Sequence, residues 1–378
     1  MPHPRQEQRN AVQPAPAGPA GVPRRRRPGA LRALTAGAAL ILTAASLSAC
    51  SSSGADALPA PDQANIKVGV ISDSIGDIPF LIGVADGTAT GNGAFRKAGL
   101  NVSVQPFGSE ADEISALNNG SIDIAYGEYG QFLAFDDPLA KAGHLQVLAD
   151  AYDAGPGSME LMVRPGASNP NLTAVFDQIK NGPQIAVPSD TGPEYISLAD
   201  YFNSLKMPIS SVVGQGQEGT GNRDIQVESD PTKLMQGVAD GQYAAGVLQE
   251  PYATMAEEQY GLIPAADLSS GDSAGVPLDG FFANSTFLDK FPKTAEVFNA
   301  VFSKLQAIGA SRVAIEQAIL AGTTNPSTAV KEYVATMQLG SFPTSTVPEK
   351  ISIVSELMYN GGTISTPLDI SALVNSGS

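Results

Sequence analysis

Hydrophobic and polar positions alternate between two periods along most of this chain. Short runs rich in Val and Ile, bounded by Ser, Gly, Asp or Pro, read as strands; the segments between them place apolar residues three to four apart, as helices do. "IKVGVI" (66–71) has a buried-strand pattern, with an apolar helical stretch from Ile78, and "LNVSVQPF" (100–107) alternates like a strand. "EADEISALNNG" (110–120) sets Ile114 and Leu117 at helical spacing, with acids in its first turns and a stop at Gly120. "SIDIAYG" (121–127), "LQVLADA" (145–151) and "MELMV" (159–163) predict further strands. "LTAVFDQI" (172–179) predicts a helix, and 184–205 a strand, a turn and a helix. The short run "SSVV" (210–213) precedes a helix over 230–241 and a strand over 243–248. After "DGFFAN" (279–284) the pattern turns almost wholly helical, at 292–309, 311–321, 327–339 and 347–360. Strands alternating with helices predict an α/β fold with a mostly parallel sheet. The polar, Gly-rich stretch 214–229 reads as a long surface loop.

The grammar occurs twice. "ISALNNGSIDIAYGEYGQFLA" (114–134) and "LMQGVADGQYAAGVLQEPYATMA" (234–256) each run from a helix through a Gly turn and a strand to an acidic turn that opens another helix. That repetition predicts two related lobes.

The N-terminus follows other rules. Arg24, Arg25, Arg26, Arg27 and Arg32 precede an uncharged stretch from Ala33 to Ala49, too short to span a bilayer comfortably. Leu47-Ser48-Ala49 then leads into Cys50, the single cysteine of the 378 residues. The arrangement resembles the lipobox of bacterial lipoproteins. It implies a signal peptide over 1–49, lipidation of Cys50, and a flexible Ser/Ala/Pro tether over 50–65 on the outer side of the cell membrane. The paired arginines leave Sec and twin-arginine export both open. Seven of the 22 basic and one of the 38 acidic residues lie before Cys50, so the chain from Cys50 onward carries a net charge of −22. Such a surface disfavours nucleic acid and anionic headgroups.

Three blocks, in order, resemble the substrate-binding proteins of ABC importers, in the branch handling nitrate, sulfonates, taurine and thiamine precursors. They are "KVGV…GAFRKAGLNVSVQPFGSEADEISALNNGSIDIAYG", "PQIAVPSDTGPEYISLADYFNSL" and "KLMQGVADGQYAAGVLQEPYATMA". The resemblance covers about 66–310, with expansions at 86–93 and 214–229. It implies a two-lobed periplasmic-binding-protein-like fold with two crossover strands and a helical C-terminal region. Lobe 1 would comprise 66–154 and 279–378, and lobe 2 155–278, closing over a small molecule by a hinge. The implied partners are an ABC permease and ATPase, and the chain is expected to act as a monomer with no cofactor.

Loops at the carboxyl ends of parallel strands face the crevice of such folds. Five places therefore carry the site expectation. Ser72, Asp73 and Ser74 offer hydroxyls and an acid, or else a helix cap. Tyr126, Gly127 and Glu128 offer a backbone approach at glycine, or else ordinary turn chemistry. Ser189, Asp190, Thr191 and Gly192 precede a helix whose N-terminus suits an anion, although Asp190 argues for capping instead. Gln249 and Glu250 follow a strand, with Pro251 completing an "EP" similar to the family's. Asp279, with Gly280 and Phe281, lies on the returning crossover, and Tyr152 on the first crossover is a stacking or a packing aromatic. These loops hold acids and no Lys or Arg, with Arg164 and Arg223 the nearest candidates for a basic partner. A neutral or cationic organic ligand is expected over an oxyanion.

Catalysis is disfavoured. His144 is the only histidine after Cys50, and no GxSxG, HExxH or EF-hand spacing occurs. Paired carboxylates leave open an acid–base enzyme, such as a thiamine-precursor synthase, though that group's His and Cys-rich segment is missing. A ligand-sensing domain for a membrane receptor is the other alternative.

Overall fold

The computed structural model describes residues 58–71, 74–85, 93–140, 145–166, 172–180, 182–209, 224–322 and 328–374. The expected signal peptide, Cys50, Ser72, Asp73, residues 86–92, His144 and 210–223, with Arg223, lie outside the described residues. The strands are β1 (Asn65–Ile71), β2 (Asn101–Phe107), β3 (Ile124–Glu128), β4 (Leu145–Asp153), β5 (Met159–Val163), β6 (Ile185–Val187), β7 (Ile225–Val227), β8 (Ala245–Gln249), β9 (Ile263–Asp267) and β10 (Pro277–Asn284). They form two five-stranded sheets, ordered β2-β1-β3-β10-β4 and β7-β6-β8-β5-β9.

The two sheets share one plan. Three parallel strands lie side by side, and a fourth runs against both its neighbours: β10 between β3 and β4, β5 between β8 and β9. Each sheet is thus mixed rather than mostly parallel. The reversed strand in each is the one that arrives from the other sheet, through 154–158 into β5 and through 268–276 into β10. The result is a two-lobed α/β fold with two crossings.

Most predicted elements appear within a residue or two, including the helices Glu110–Asn118, Leu172–Ile179, Pro193–Ser204 and Pro292–Gly309. Two strands were not expected. Within the stretch read as a loop, Ile225–Val227 pairs with β6, and its three residues are too few to display a period. Ile263–Asp267 is only partly buried and includes Pro264, so neither alternation nor a continuous apolar run marks it. The expected tether ends early. Asp62 accepts from Lys293 N (2.9 Å) and Gln63 N donates to Thr294 Oγ1 (2.8 Å), so both are tied to the first turn of the helix Pro292–Gly309.

The helical C-terminal region differs from the expectation that it packs on the first lobe alone. The helix Pro348–Asn360 touches β10 and also the helix Pro193–Ser204 beside the second sheet. Tyr195 Oη donates to Gly361 O (2.9 Å), Gln259 Nε2 to Tyr333 Oη (2.6 Å) and Gln338 N to Glu250 Oε1 (2.8 Å). Lys350 Nζ lies 2.5 Å from Asp153 at the end of β4. The tail straddles both lobes. Among the described residues, no helix is long and apolar enough to cross a membrane.

Behind the first sheet the core is aromatic. Phe298 is fully buried, with ring centroids 5.3 Å from Phe95, 5.2 Å from Phe281 and 6.0 Å from Phe80. Phe281 on β10 adds Phe302 at 4.8 Å and Tyr126 at 5.2 Å. This cluster fixes β10 and β3, whose ends carry site residues. Phe298→Ala should destabilise the protein by about 3–5 kcal/mol, read as a lower urea midpoint at unchanged slope.

Candidate functional site

Between the sheets lies a cavity of about 530 Å³. Its walls come from the carboxyl ends of all six parallel strands: Ile71 and Ser74 after β1, Ser109 and Glu110 after β2, Tyr126 to Glu128 on β3, Ser189 and Asp190 after β6, Val227 and Ser229 after β7, Gln249 and Glu250 after β8. A volume of this size suits an organic molecule.

Ten of the expected residues line the cavity: Ser74, Tyr126, Gly127, Glu128, Tyr152, Ser189, Asp190, Gln249, Glu250 and Asp279. Thr191 and Gly192 stand just behind its wall, and Ser72 and Asp73 are outside the described residues. The Ser74 hydroxyl lies 2.6 Å from Tyr126 Oη, which donates to Asp279 Oδ2 at 2.8 Å. Ser74 therefore ties β1 to β3 and β10. Of the turn's described side chains, Ser74 accepts from Gly76 N (3.2 Å), while the N-cap of Ile78–Val84 is Asp77, whose side chain makes no capping bond.

The loop before Pro193 departs from the anion-site alternative and from capping by Asp190. Asp190 is exposed, Gly192 is the N-cap, and no side chain caps the helix. The helix end meets an acid of its own instead, because Glu194 in the first turn is buried there. Tyr152 is committed to structure: its hydroxyl accepts from Gly340 N (2.6 Å) and its ring packs on Phe342 at 5.1 Å. Glu250 is likewise occupied, accepting from Thr254 N, Thr254 Oγ1 and Gln338 N. Arg164 is exposed and does not line the cavity.

Two acids were missed. Glu110 counted only among the acids of a first turn and Glu194 was not singled out, yet they are 7% and 4% exposed and line the cavity. Glu110 Oε1 accepts from Glu128 N (2.7 Å). Gln249 Nε2 donates to Glu194 Oε1 (2.8 Å) and reaches Glu128 Oε1 (3.5 Å), while Gln131 Nε2 donates to Glu128 Oε2 (2.7 Å). A signal for Glu110 was present. Glu110, Glu113, Ile114 and Leu117 share one helical face, so the acids of "EADE" split between a buried pair and exposed Asp112.

Gly127 and Gly192 make room for these carboxylates. A Cβ at Gly127 would come within 2.8 Å of Glu110 Oε1, and one at Gly192 within 2.9 Å of Glu128 Oε2 and 3.0 Å of Glu194 Oε2. Glycine is needed at both for close approach.

The electrostatics follow from enclosure. Burial, reinforced by the Glu194 charge and opposed by the Tyr126 hydrogen bond, pushes Asp279 up to about 7. Burial, with Asp77 adding to it, pushes Glu113 up to about 8. Glu110, Glu128 and Glu194 are also raised, first by burial; the Glu194 charge adds at Glu128 and Glu110, and the Asp279 charge adds at both. Among the described residues no Lys, Arg or His lines the cavity, and no group of three or more His, Cys, Asp or Glu is arranged to hold a metal ion.

Because the folded values of Asp279 and Glu113 lie above the ordinary 3.8 and 4.5, the folded chain holds more protons than the unfolded one between about pH 4 and 8. Their contribution to stability is fully present below that window and is lost as pH rises through it. The ligand-free protein should melt at a lower temperature at pH 8 than at pH 5 in thermal denaturation. Equal melting points would show that these carboxylates ionise normally.

The fold has many relatives of known structure. The ligand-binding component of an ABC-type import system from Staphylococcus aureus, solved with zinc bound, matches at 15% identity and TM-score 0.60, covering 83% of this chain and 97% of that one. The periplasmic aliphatic sulphonate binding protein SsuA from Escherichia coli matches at 16% and 0.59, covering 84% and 93%. The periplasmic nitrate-binding protein NrtA from Synechocystis PCC 6803 matches at 15% and 0.60, covering 84% and 88%. At such identities these likenesses establish the periplasmic-binding-protein fold. No curated protein matches the sequence. The family model described as the NMT1-like family spans residues 60–320, well over half of the chain, and the chain belongs to that family.

Proposed function

We propose that this chain is an extracytoplasmic solute-binding lipoprotein that captures a small organic molecule between its lobes and delivers it to an ABC importer. The observation that carries this reading is the cavity itself. It is enclosed by the carboxyl ends of six strands from two sheets joined by only two crossings, the geometry on which a hinge closes over a ligand. Structural neighbours that are import-system binding components support it. Binding is favoured over catalysis because, among the described residues, the cavity wall holds no His or Cys to act as base or nucleophile. Glu128 and Glu194 accept from the side-chain amides of Gln131 and Gln249, Glu110 from the Glu128 N–H, and Asp279 from the Tyr126 hydroxyl.

The lack of lining cations among the described residues disfavours nitrate or a sulfonate, the molecules named for two of the neighbours, and favours a neutral or cationic organic ligand. The basic, apolar and small-residue succession ending at Cys50 supports anchoring by lipid, since each buried acyl CH₂ contributes about 0.8 kcal/mol.

A thermal-shift panel of pyrimidines, flavins, amines, alkanesulfonates, taurine and nitrate tests the capture reading. A ligand at 100 times its Kd adds about 2.7 kcal/mol. At roughly 2–4 °C per kcal/mol for a protein of this size, the shift is readily seen. One chemical class should stand out; a flat panel on folded protein would count against small-molecule capture. For the anchor, Cys50→Ser should abolish incorporation of labelled fatty acid in cells and move the protein from the membrane fraction to the medium or periplasm.

A further inference from the structure

The carboxylates of the cleft are more numerous than their partners. Glu110, Glu128, Glu194 and Asp279 converge there from both lobes, and Oε2 of Glu110 and Oε2 of Glu194 are buried with no hydrogen-bond partner. Both side chains belong to residues more than nine-tenths buried. An orphaned buried carboxylate oxygen is costly, and a nearby positive charge is the strongest means of satisfying it. The protein offers neutral donors at this place: the amides of Gln131 and Gln249, the Tyr126 hydroxyl and the Glu128 N–H. No basic side chain lines the cavity among the described residues.

This inference rests on the solute-capture reading and deepens it. We propose that the ligand is an organic cation whose ammonium or amidinium group seats among Glu110, Glu128 and Glu194 while its apolar body lies against Ile71, Ile75, Val227 and Leu248. Several observations converge on it. Among the described residues the acids are not grouped as metal ligands, which favours an organic cation over a bare metal ion. The cavity, at about 530 Å³, has room for far more than an ammonium ion, and its acid-lined part adjoins these apolar side chains. Glycine at 127 and 192 leaves carboxylate oxygens uncrowded where any side chain would press on them. A nitrogen cation bearing two or more N–H donors makes charge-assisted bonds to carboxylates, and a planar amidinium makes them in pairs. The competing account is that the acids are simply neutral, protonated hydrogen-bonding groups with no preference for charge.

The test uses the full chain, purified in detergent, with matched probe sets in which one scaffold appears in three charge states. These are benzamidinium, benzamide and benzoate, and butylammonium, butanol and butyrate, each followed by thermal shift up to 10 mM and then by calorimetry. Only the cationic members should raise the melting temperature. Glu194→Gln and Glu128→Gln should each weaken the best cation at least tenfold, with the ligand-free melting temperature unchanged or higher. Two separate variants guard against one that fails to fold.

Equal or larger shifts from the neutral or anionic members would overturn the cation and leave solute capture standing. Unchanged cation affinity in both folded variants would overturn the seat and favour the protonated-acid account. The absence of any shift from the cations would also overturn the proposal. Solute capture is then judged separately, by the broader panel and by the mass of any small molecule released on denaturing the protein as purified from cells.

Discussion

A carboxylate withdrawn from water holds its charge only where a cation or enough donors compensate it, and this constraint falls most heavily on the cleft. Glu110, Glu128, Glu194 and Asp279 reach it by different routes: two first turns of helices, one strand end and one crossing strand. Beyond burial, the Glu194 charge adds to the cost of ionising Glu110, Glu128 and Asp279, and the Asp279 charge adds to that of Glu110 and Glu128. Acids contributed by both lobes resist close approach while charged, and a positive group between them reverses that sign. On the solute-capture reading, occupancy by a cation and closure of the lobes are linked through this interaction.

The repeated plan of the sheets explains why the site is where it is. β3 and β8 hold the same place in their sheets, each beside the strand that runs against its neighbours. One ends in Glu128 and the other in Gln249, and the amide of the second reaches toward the carboxylate of the first. The pair is a small asymmetry built on a symmetric frame. Gln249 gives the second lobe a neutral donor where another acid would have deepened the repulsion, and it holds Glu194 by the same group.

Much of this frame was legible in the chain. A Val and Ile run marked β1, shorter apolar runs marked β4 and β5, and the repeated helix–Gly–strand grammar marked the two lobes, because such signals are local. Loops after β1, β3, β6 and β8 were found by the rule that strand ends face the crevice. Glu194 was not, because its enclosure comes from the opposing lobe and from the tail over its helix, neither of which leaves a trace near residue 194. Glu110 was half legible through its shared face with Ile114 and Leu117. Asp190 misled for the opposite reason: a cap residue by type, it points to solvent while Gly192 takes the cap position. β7 escaped because a three-residue edge strand is specified by its neighbour rather than by its own pattern.

The C-terminal tail changes what opening means for this molecule. In a simple hinge the crossings alone join the lobes, and they swing freely about 154–158 and 268–276. Here Gly361 accepts from Tyr195, Tyr333 from Gln259, and Gln338 donates to Glu250, each bond pairing the tail with the second lobe. Wide separation of the lobes breaks all three together, whereas a twist about the tail keeps some of them. On the solute-capture reading, the residence time of an enclosed molecule depends on these tail bonds as well as on its own contacts.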